Sequence, residues 1–262
     1  MGNKVLYASD MDRTLIFSRR FIDEYPTDAS YNPVEYKGIE IISYMADEVK
    51  AKLHDIRSNE KVTFVPVTTR SLDEYSRVNL GFTPEYAIVD NGGCILHNGE
   101  PMKEWEEYVR SGINYLGMAN LLSDVETFLD SVDYKVKIID NRYLFFKTND
   151  PDKFDEEIKD LVIKYPEWVF TRQVRKCYAI PIHFSKQIAL RWLWNKLEKP
   201  YIIASGDSEL DLPMLTLANK AFIPTHGSLV KDKFVTEGRF IDGGILSPIK
   251  TMQAVIDEVN KI

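Results

Sequence analysis

Four aspartates follow two short apolar segments of the sequence. Asp10 and Asp12 come directly after the first such segment, and Asp207 and Asp211 follow YIIAS at 201–205. Short apolar runs that end in polar residues predict buried parallel strands, and ligands bind outside the carboxyl ends of such strands. Carboxylates in one crevice repel each other unless a cation neutralises them. The spacing therefore predicts a divalent-metal site with one carboxyl group kept as a proton carrier. The alternative is that these acids only cap helices or turns.

Two further residues lie at predicted strand-to-helix junctions. Thr68 follows the strand predicted at 62–67, where its hydroxyl and nearby N–H groups can hold a phosphoryl oxygen. Lys186 opens a predicted helix and can place an ammonium group beside a transferring phosphoryl group. Hard carboxylate ligands in an open cluster suit Mg²⁺, which retains waters and leaves room for a phosphate.

The elements that would position these residues alternate between strand and helix. A helix is predicted from Ile39 to about residue 56, and a second helix has Ser71 as its N-cap, with Glu74 completing a capping box. This alternation indicates an α/β fold with a Rossmann-like parallel-sheet core. The first three strands are predicted at 4–8, 62–67 and 86–90.

The pattern changes between residues 98 and 182, where two helix–hairpin units follow each other. The two hairpin turns are predicted at Asn141-Arg142 and around Val174-Arg175. An α-β-β-α-β-β block that interrupts a strand–helix alternation predicts an inserted, smaller α+β cap domain. The core then comprises residues 1–97 and 183–262.

Composition excludes several classes of partner. The 33 Lys and Arg against 40 Asp and Glu give a net charge of −7, which argues against a nucleic-acid-binding protein because phosphate contacts need clustered basic side chains. No apolar run approaches the roughly 18 residues that cross a bilayer, so no membrane association is expected. Cys94 and Cys177 lie far apart, which predicts reduced, buried thiols and a cytoplasmic location. None of the four histidines has metal-ligand spacing, and His183 is the best candidate among them.

The motifs together resemble those of the haloacid dehalogenase-like (HAD) phosphatases. D-x-D-x-T beginning at Asp10, a strand ending in Thr68, then Lys186, then G-D-x-x-x-D at 206–211 occur in the order of that family. The resemblance covers nearly the whole chain. The insertion resembles the larger α/β cap of the Cof-type and sucrose-phosphate-phosphatase-like subgroup.

This resemblance implies an Mg²⁺-dependent phosphatase that hydrolyses a small phosphomonoester, a sugar phosphate or similar metabolite. Asp10 would be the nucleophile and would form an aspartyl phosphate. Asp12 would protonate the leaving oxygen and then take a proton from the hydrolytic water. Mg²⁺ would bind the Asp10 carboxylate, the Asp12 backbone carbonyl and Asp207.

The same resemblance gives supporting roles to other residues. Thr68 and Lys186 would hold the phosphoryl oxygens, and Asp211 would orient Lys186 or a metal-bound water. Arg70 would contact the substrate or form a surface salt bridge. Arg13 would contact phosphate or substrate, or would point away and brace the cap.

Three residues depart from the family pattern. Arg13 replaces the usual glycine of D-x-D-G-T, Thr69 replaces the glycine of T-G-R, and Leu210 replaces the usual asparagine near the metal. None of these changes removes a catalytic group, but they weaken any inference of this protein's substrate from the sugar-phosphate members of the family.

Two alternative functions stay open: a phosphotransferase or mutase that uses the same aspartyl phosphate, and a non-catalytic sensor or partner-binding protein that keeps the metal site. The sequence does not indicate an oligomeric state.

Overall fold

The computed structural model describes residues 4–173, 175–231 and 239–261. The chain forms two compact units, the first made of Met1–Met102 and Lys186–Ile262 and the second of Lys103–Ser185. The boundaries lie a few residues after those expected at 98 and 182. One reason is that Glu100–Pro101 pairs with the preceding strand and so belongs to the first unit.

Strands and helices alternate along much of the chain. The strands are β1 (Val5–Ser9), β2 (Tyr31–Lys37), β3 (Glu40–Ala46), β4 (Val62–Pro66), β5 (Tyr86–Val89), β6 (Cys94–His97), β7 (Glu100–Pro101), β8 (Val132–Ile139), β9 (Tyr143–Thr148), β10 (Trp168–Gln173), β11 (Lys176–Pro181), β12 (Tyr201–Ser205), β13 (Lys220–Pro224) and β14 (Arg239–Ile241). The helices are α1 (Arg19–Glu24), α2 (Asp47–Ser58), α3 (Leu72–Ser76), α4 (Lys103–Gly112), α5 (Tyr115–Phe128), α6 (Pro151–Lys164), α7 (Lys186–Lys196), α8 (Leu212–Leu217), α9 (Ser228–Lys231) and α10 (Ser247–Val259).

A five-stranded, all-parallel sheet forms the centre of the first unit. Its strand order is β14-β13-β12-β1-β4. Every residue of β1 is buried, because the strands of a parallel sheet are usually covered on both faces by other elements. The chain leaves β1 toward β4 on one side and returns to β12 on the other, so the strand order reverses at β1. This is the position where open α/β sheets bind ligands.

One face of this sheet packs against α2 and α10. Tyr7 of β1 and Phe64 of β4 share a buried core with Leu53 of α2 and Met252 and Val255 of α10. The ring centroids of Tyr7 and Phe64 lie 5.5 Å apart. This packing holds the carboxyl edge of the sheet in place, because the helices bury an apolar stripe against it.

The helix predicted from Ile39 to about residue 56 is wrong in its first part. Residues 40–46 form β3, which pairs antiparallel with β2 around a turn at Gly38, whose φ is +62°. The segment is rich in β-branched and aromatic residues, which favour a strand when a partner strand is present. The helix begins at Asp47 instead, and its Leu53 side chain is buried in the core.

The strand predicted at 86–90 forms as β5, but it pairs antiparallel with β6 in a separate three-stranded sheet with β7. A single parallel bridge between Val67 and Ile88 connects it to the end of β4. The predicted capping box is confirmed at α3, where the Ser71 hydroxyl accepts the Glu74 N–H and the Glu74 carboxylate accepts the Ser71 N–H.

The second unit contains a four-stranded antiparallel sheet of order β10-β11-β9-β8. Its core combines α5 and α6 with β9 and includes Leu121, Phe146 and Phe154. The first hairpin turn has three residues, Asp140 to Arg142, because Ile139 pairs with Tyr143, and it includes the predicted Asn141-Arg142. Asp140 and Asn141 both take the left-handed backbone that is common in such turns. Val174, in the second predicted turn, lies outside the described residues. A parallel-sheet core with an α+β second unit confirms the predicted fold class.

Cys94 and Cys177 are both buried, as predicted. In the described part of the chain, no helix combines the length and the apolar character that spanning a bilayer requires.

Phe146→Ala should destabilise the second unit by about 3–5 kcal/mol, because it empties a fully buried site that contacts Phe154. Phe128→Ala is the matched control in the same unit, since Phe128 is 62% exposed, and should cost less than about 1 kcal/mol. Hydrogen exchange of peptides from 103–185 measures both effects. Equal losses in the two variants would contradict this core packing.

Candidate functional site

Strand register brings the predicted residues of unit one to a common edge. Ser9 at the end of β1 is opposite Ser205 of β12 on one side and Pro66 of β4 on the other. The Asp10 N–H donates to the Ser205 carbonyl over 2.9 Å, and the Val67 N–H donates to the Ser9 carbonyl over 2.7 Å. The residues that follow these strands therefore leave the sheet side by side.

Lys186 lies between two of the predicted acids. Its Nζ atom is 2.6 Å from an oxygen of Asp10 and 2.6 Å from an oxygen of Asp211, and its side chain is 2% exposed. Carboxylate oxygens of Asp10, Asp207 and Asp211, here called the acidic cluster, lie within 4.8 Å of one another. Three buried anions and one fully buried ammonium thus occupy a small volume at the edge of the sheet.

Burial dominates the electrostatics of the acidic cluster. Loss of water, and then repulsion by Asp211, raise the pKa of Asp10 to about 7. The pKa of Asp207 is raised well above its ordinary value by burial, and further by Asp10 and Asp211. Burial opposes the charge of Lys186, but attraction to Asp10 and Asp211 raises its pKa overall. Such a cluster gains strongly from an added cation.

Asp211 has little capacity left to bind one. Its Oδ2 atom accepts the Asp207 and Ser208 N–H groups and the Ser208 hydroxyl at 3.0–3.1 Å, and its Oδ1 atom accepts Lys186. The Oδ2 atom is therefore fully used as an acceptor inside the protein, and the Oδ1 atom is already bound to the Lys186 ammonium. Asp211 fits a residue that holds Lys186 and the 206–211 loop.

Asp10 and Asp207 keep the capacity that Asp211 lacks. Within the described residues, the Asp10 carboxylate accepts one hydrogen bond, from Lys186, and the Asp207 carboxylate has one ion pair, with Arg13 at 3.3 Å. No described residue donates a hydrogen bond to the Asp12 carbonyl. Two carboxylates and a carbonyl are hard oxygen donors, so this set fits Mg²⁺.

Arg70 forms largely buried ion pairs and not a surface salt bridge. Its Nε and Nη2 atoms donate to the two oxygens of Asp12 over 2.7 and 2.8 Å, and its Nη1 atom lies 2.8 Å from Glu35. Nη2 also contacts the Ser43 hydroxyl at 3.2 Å. Glu35 is completely buried and also faces Arg77 at 3.5 Å. A bidentate fork of this kind fixes the orientation of a carboxylate.

Sequence reasoning missed Glu35 and Ser43. They come from the β2–β3 hairpin, where part of the strand pairing was predicted as helix, so no local pattern indicated that they would approach Arg70. Arg77 was missed as well, because its partner Glu35 lies 42 residues earlier in the sequence.

Thr68 is fully buried where the chain leaves β4. Its Oγ1 atom accepts the Arg70 N–H over 3.1 Å, its N–H donates to Ile88, and its carbonyl accepts the Asn91 N–H. The hydroxyl proton of Thr68 remains to be donated, and a phosphoryl oxygen is a suitable acceptor for it.

His226 is another residue whose role sequence reasoning missed. It is buried, its Nε2 atom contacts the Arg13 carbonyl at 2.6 Å, and its Nδ1 atom accepts the Gly244 N–H over 3.0 Å. These bonds require the neutral ring with the proton on Nε2. Burial accordingly lowers the pKa of His226 to about 4. The available signal was its position, two residues after the end of β13.

Arg13 completes the site. Its φ is +64°, its Nε atom lies 3.3 Å from Asp207, and its Nη2 atom donates to the His226 carbonyl over 3.2 Å. Its guanidinium lies over the Phe21 ring, 5.5 Å from the centroid. Arg13 therefore points toward the acidic cluster. Leu210, another departure from the family pattern, has an apolar side chain and so offers the acidic cluster no hydrogen bond.

Solved structures provide the comparison for this site and fold. No protein-family model matches the sequence, and a comparison with curated proteins finds no match. The sucrose-phosphatase of Synechocystis sp. PCC6803, solved with sucrose and phosphate, aligns over 99% of both chains with a TM-score of 0.68 at 11% identity. A haloacid dehalogenase-like hydrolase from Bacteroides thetaiotaomicron has a TM-score of 0.63 at 14% identity, over 96% of this chain and 99% of its own.

A haloacid dehalogenase-like hydrolase from Bacillus subtilis gives a TM-score of 0.58 at 12% identity, over 97% of this chain and 95% of its own. Agreement over nearly the full length of each chain shows a shared fold. The chain therefore has the fold of the haloacid dehalogenase-like hydrolases, which confirms at this level the resemblance predicted from its motifs.

His226 should make folding stability sensitive to acid. Its pKa is depressed in the folded protein, so the unfolded chain binds more protons between about pH 6.5 and pH 4, and the stabilisation from the neutral ring is lost as pH falls through this window. Lowering pH from 7.5 to 5.5 should cost about 1 kcal/mol more in the wild type than in His226→Gln. Urea unfolding at both pH values measures this difference.

His54→Gln is the control, because His54 is exposed and should keep the pH dependence of the wild type. Since the acidic cluster titrates in all three proteins, comparing the variants isolates His226. A pH dependence that survives in His226→Gln would refute the assignment.

Proposed function

We propose that this protein is an Mg²⁺-dependent phosphatase that hydrolyses a small phosphomonoester through an aspartyl phosphate on Asp10. The observation that carries the proposal is the contact of Lys186 Nζ with Asp10 and Asp211, both at 2.6 Å, beside Asp207. A buried nucleophile, a fixed ammonium and unused oxygen donors are the parts that phosphoryl transfer requires.

Asp10 is suited to act as the nucleophile. Its Oδ1 atom is held by Lys186, so the carboxylate has a fixed orientation. In the first step an oxygen of Asp10 bonds to phosphorus while the bond from phosphorus to the ester oxygen breaks. Lys186 and the Thr68 hydroxyl would stabilise the negative charge on the phosphoryl oxygens. Mg²⁺, bound by the Asp10 and Asp207 carboxylates and the Asp12 carbonyl, would neutralise the repulsion between nucleophile and phosphate.

Asp12 is suited to move the protons. It is 49% exposed on its side chain, in contrast to Asp10 at 7%, so it can reach both a leaving oxygen and water. Arg70 binds both of its oxygens, so one of these bonds must open before Asp12 donates a proton to the leaving oxygen. In the second step Asp12 takes a proton from the water that attacks the aspartyl phosphate, which releases phosphate and regenerates Asp10.

The second unit is proposed as the cap that selects the substrate. Small phosphorylated metabolites are expected, sugar phosphates first, and the sucrose-phosphatase with a similar fold supports this order of testing. Fold similarity leaves the identity of the ligand open. A panel of phosphomonoesters with Mg²⁺, read out as released orthophosphate, identifies the preferred class and separates hydrolysis from transfer to another hydroxyl.

Asp10→Asn should abolish turnover of the best substrate in this panel while leaving the fold intact, because an amide cannot form the phosphoenzyme. Circular dichroism and the melting temperature check the fold. Asp28→Asn, which changes an exposed aspartate, controls for the loss of one negative charge and should retain full activity. Turnover by Asp10→Asn at the wild-type rate would rule out the mechanism.

Asp12→Asn should separate the two chemical steps. With p-nitrophenyl phosphate, whose leaving group needs no proton, Asp10 can still be phosphorylated, but water is no longer deprotonated. Turnover should fall by about 10²–10⁴-fold and phosphoenzyme should accumulate. Intact-mass spectrometry after acid quench detects it, and the Asp10→Asn, Asp12→Asn double variant should show none. If the single variant stays unphosphorylated while turnover is lost, Asp12 does not act mainly in the second step.

A further inference from the structure

The backbone of Arg13 is held in an unfavourable conformation for a residue with a Cβ atom. Its φ of +64° lies in the left-handed region, which glycine and asparagine tolerate better than arginine. Hydrogen bonds fix both sides of the residue: its N–H donates to the Ile16 carbonyl over 2.8 Å, and its carbonyl contacts His226 Nε2 at 2.6 Å. The loop thus directs the Arg13 side chain from a fixed point.

The guanidinium has one charged and two uncharged neighbours. The charged one is Asp207, with Nε at 3.3 Å from its Oδ2 atom. The uncharged ones are the His226 carbonyl, 3.2 Å from Nη2, and the face of Phe21. Among the described residues, Arg13 alone forms an ion pair with Asp207. The guanidinium can therefore give up Asp207 and keep its other two contacts.

Arg13 is held more loosely than Lys186, the other cation that contacts the acidic cluster. Lys186 is 2% exposed and makes two contacts of 2.6 Å, whereas the side chain of Arg13 is 43% exposed and its contact with Asp207 is longer. A partly hydrated ion pair gains less from attraction than a buried one. Of the two cations, Arg13 is the one that can be displaced.

We propose that Arg13 is an internal counter-ion of Asp207 that a divalent cation must displace from this carboxylate, and that it thereby weakens divalent-cation binding. The inference rests on the proposed function, because it concerns the cation that the acidic cluster would hold. A guanidinium and a divalent ion on one carboxylate repel each other, so the ion binds only when Arg13 withdraws to the His226 carbonyl and Phe21.

Calorimetric titration of the full-length protein with Mg²⁺ alone, and separately with Mn²⁺ alone, tests this without any substrate. Arg13→Asn removes the charge and tolerates the left-handed backbone, and it should bind each ion about tenfold more tightly than the wild type. Arg13→Lys keeps the charge and should stay within about threefold of the wild type. Arg20→Asn removes an exposed positive charge close to Arg13 in sequence and should change nothing.

Arg13→Gln keeps most of the side-chain stem and should bind the ions as tightly as Arg13→Asn, which provides a second neutral variant if the first fails to fold by circular dichroism. Wild-type or weaker affinity in both neutral variants would overturn the inference while leaving the proposed metal site intact. If neither ion binds to wild type or variants, the metal part of the proposed function fails as well. The two failures are therefore distinguishable.

Discussion

Three carboxylates and a lysine are almost removed from water at the end of the central sheet. The idealised cost of transferring one such ion into a protein interior is large, and several kcal/mol remain even after relaxation. Lys186 offsets this cost for Asp10 and Asp211 at once, with 2.6 Å contacts to both. Burial of each of these charged groups is tolerated only because the others are present, and removing one of them would leave an uncompensated buried charge. The positions of the other groups follow from this constraint.

Backbone packing keeps the charged groups close. A Cβ atom on Gly206 would lie 2.5 Å from the Cβ atom of Asp211, and one on Gly227 would lie 2.4 Å from the Asp207 carbonyl oxygen. Both distances are too short for any other residue without backbone movement. The Leu229 N–H donates to that same carbonyl over 3.2 Å, so α9 helps to fix Asp207. The glycine of the G-D-x-x-x-D motif therefore has a steric role that its neighbours in the fold impose.

The strand ends were predictable because their determinants are local. A buried apolar run followed by an aspartate identifies both halves of the site, and parallel pairing then brings Asp10 beside the residues that follow β12. The capping box at Ser71 was predictable for the same reason, since its two partners are three residues apart. The approach of Glu35 to Arg70 was not, because it depends on a hairpin pairing that overrides the helical spacing of residues 39–46. His226 likewise acquires its role from partners distant in sequence, the Arg13 carbonyl and the Gly244 N–H.

Asp10, Asp12 and Asp207 are each paired with a different cation, and the differences define what each of these acids can do. Lys186 is buried and donates hydrogen bonds to both Asp10 and Asp211, so Asp10 keeps one orientation, which suits a nucleophile. Arg70 is backed by the fully buried Glu35, so Asp12 is oriented but still reaches solvent, which suits a residue that exchanges protons.

Within the described residues, Asp207 forms one ion pair, with the partly exposed Arg13, and this contact is longer. Its counter-ion is therefore the one that can leave without exposing a buried charge, because the guanidinium is already partly hydrated. A site balanced in this way holds the proposed nucleophile and the proposed proton carrier by strong internal pairs, and it leaves the weakest pair at the carboxylate where an external cation would enter. The relative strengths of these three ion pairs, more than the number of acids, would suit the edge of the sheet to the proposed metal-assisted phosphoryl transfer.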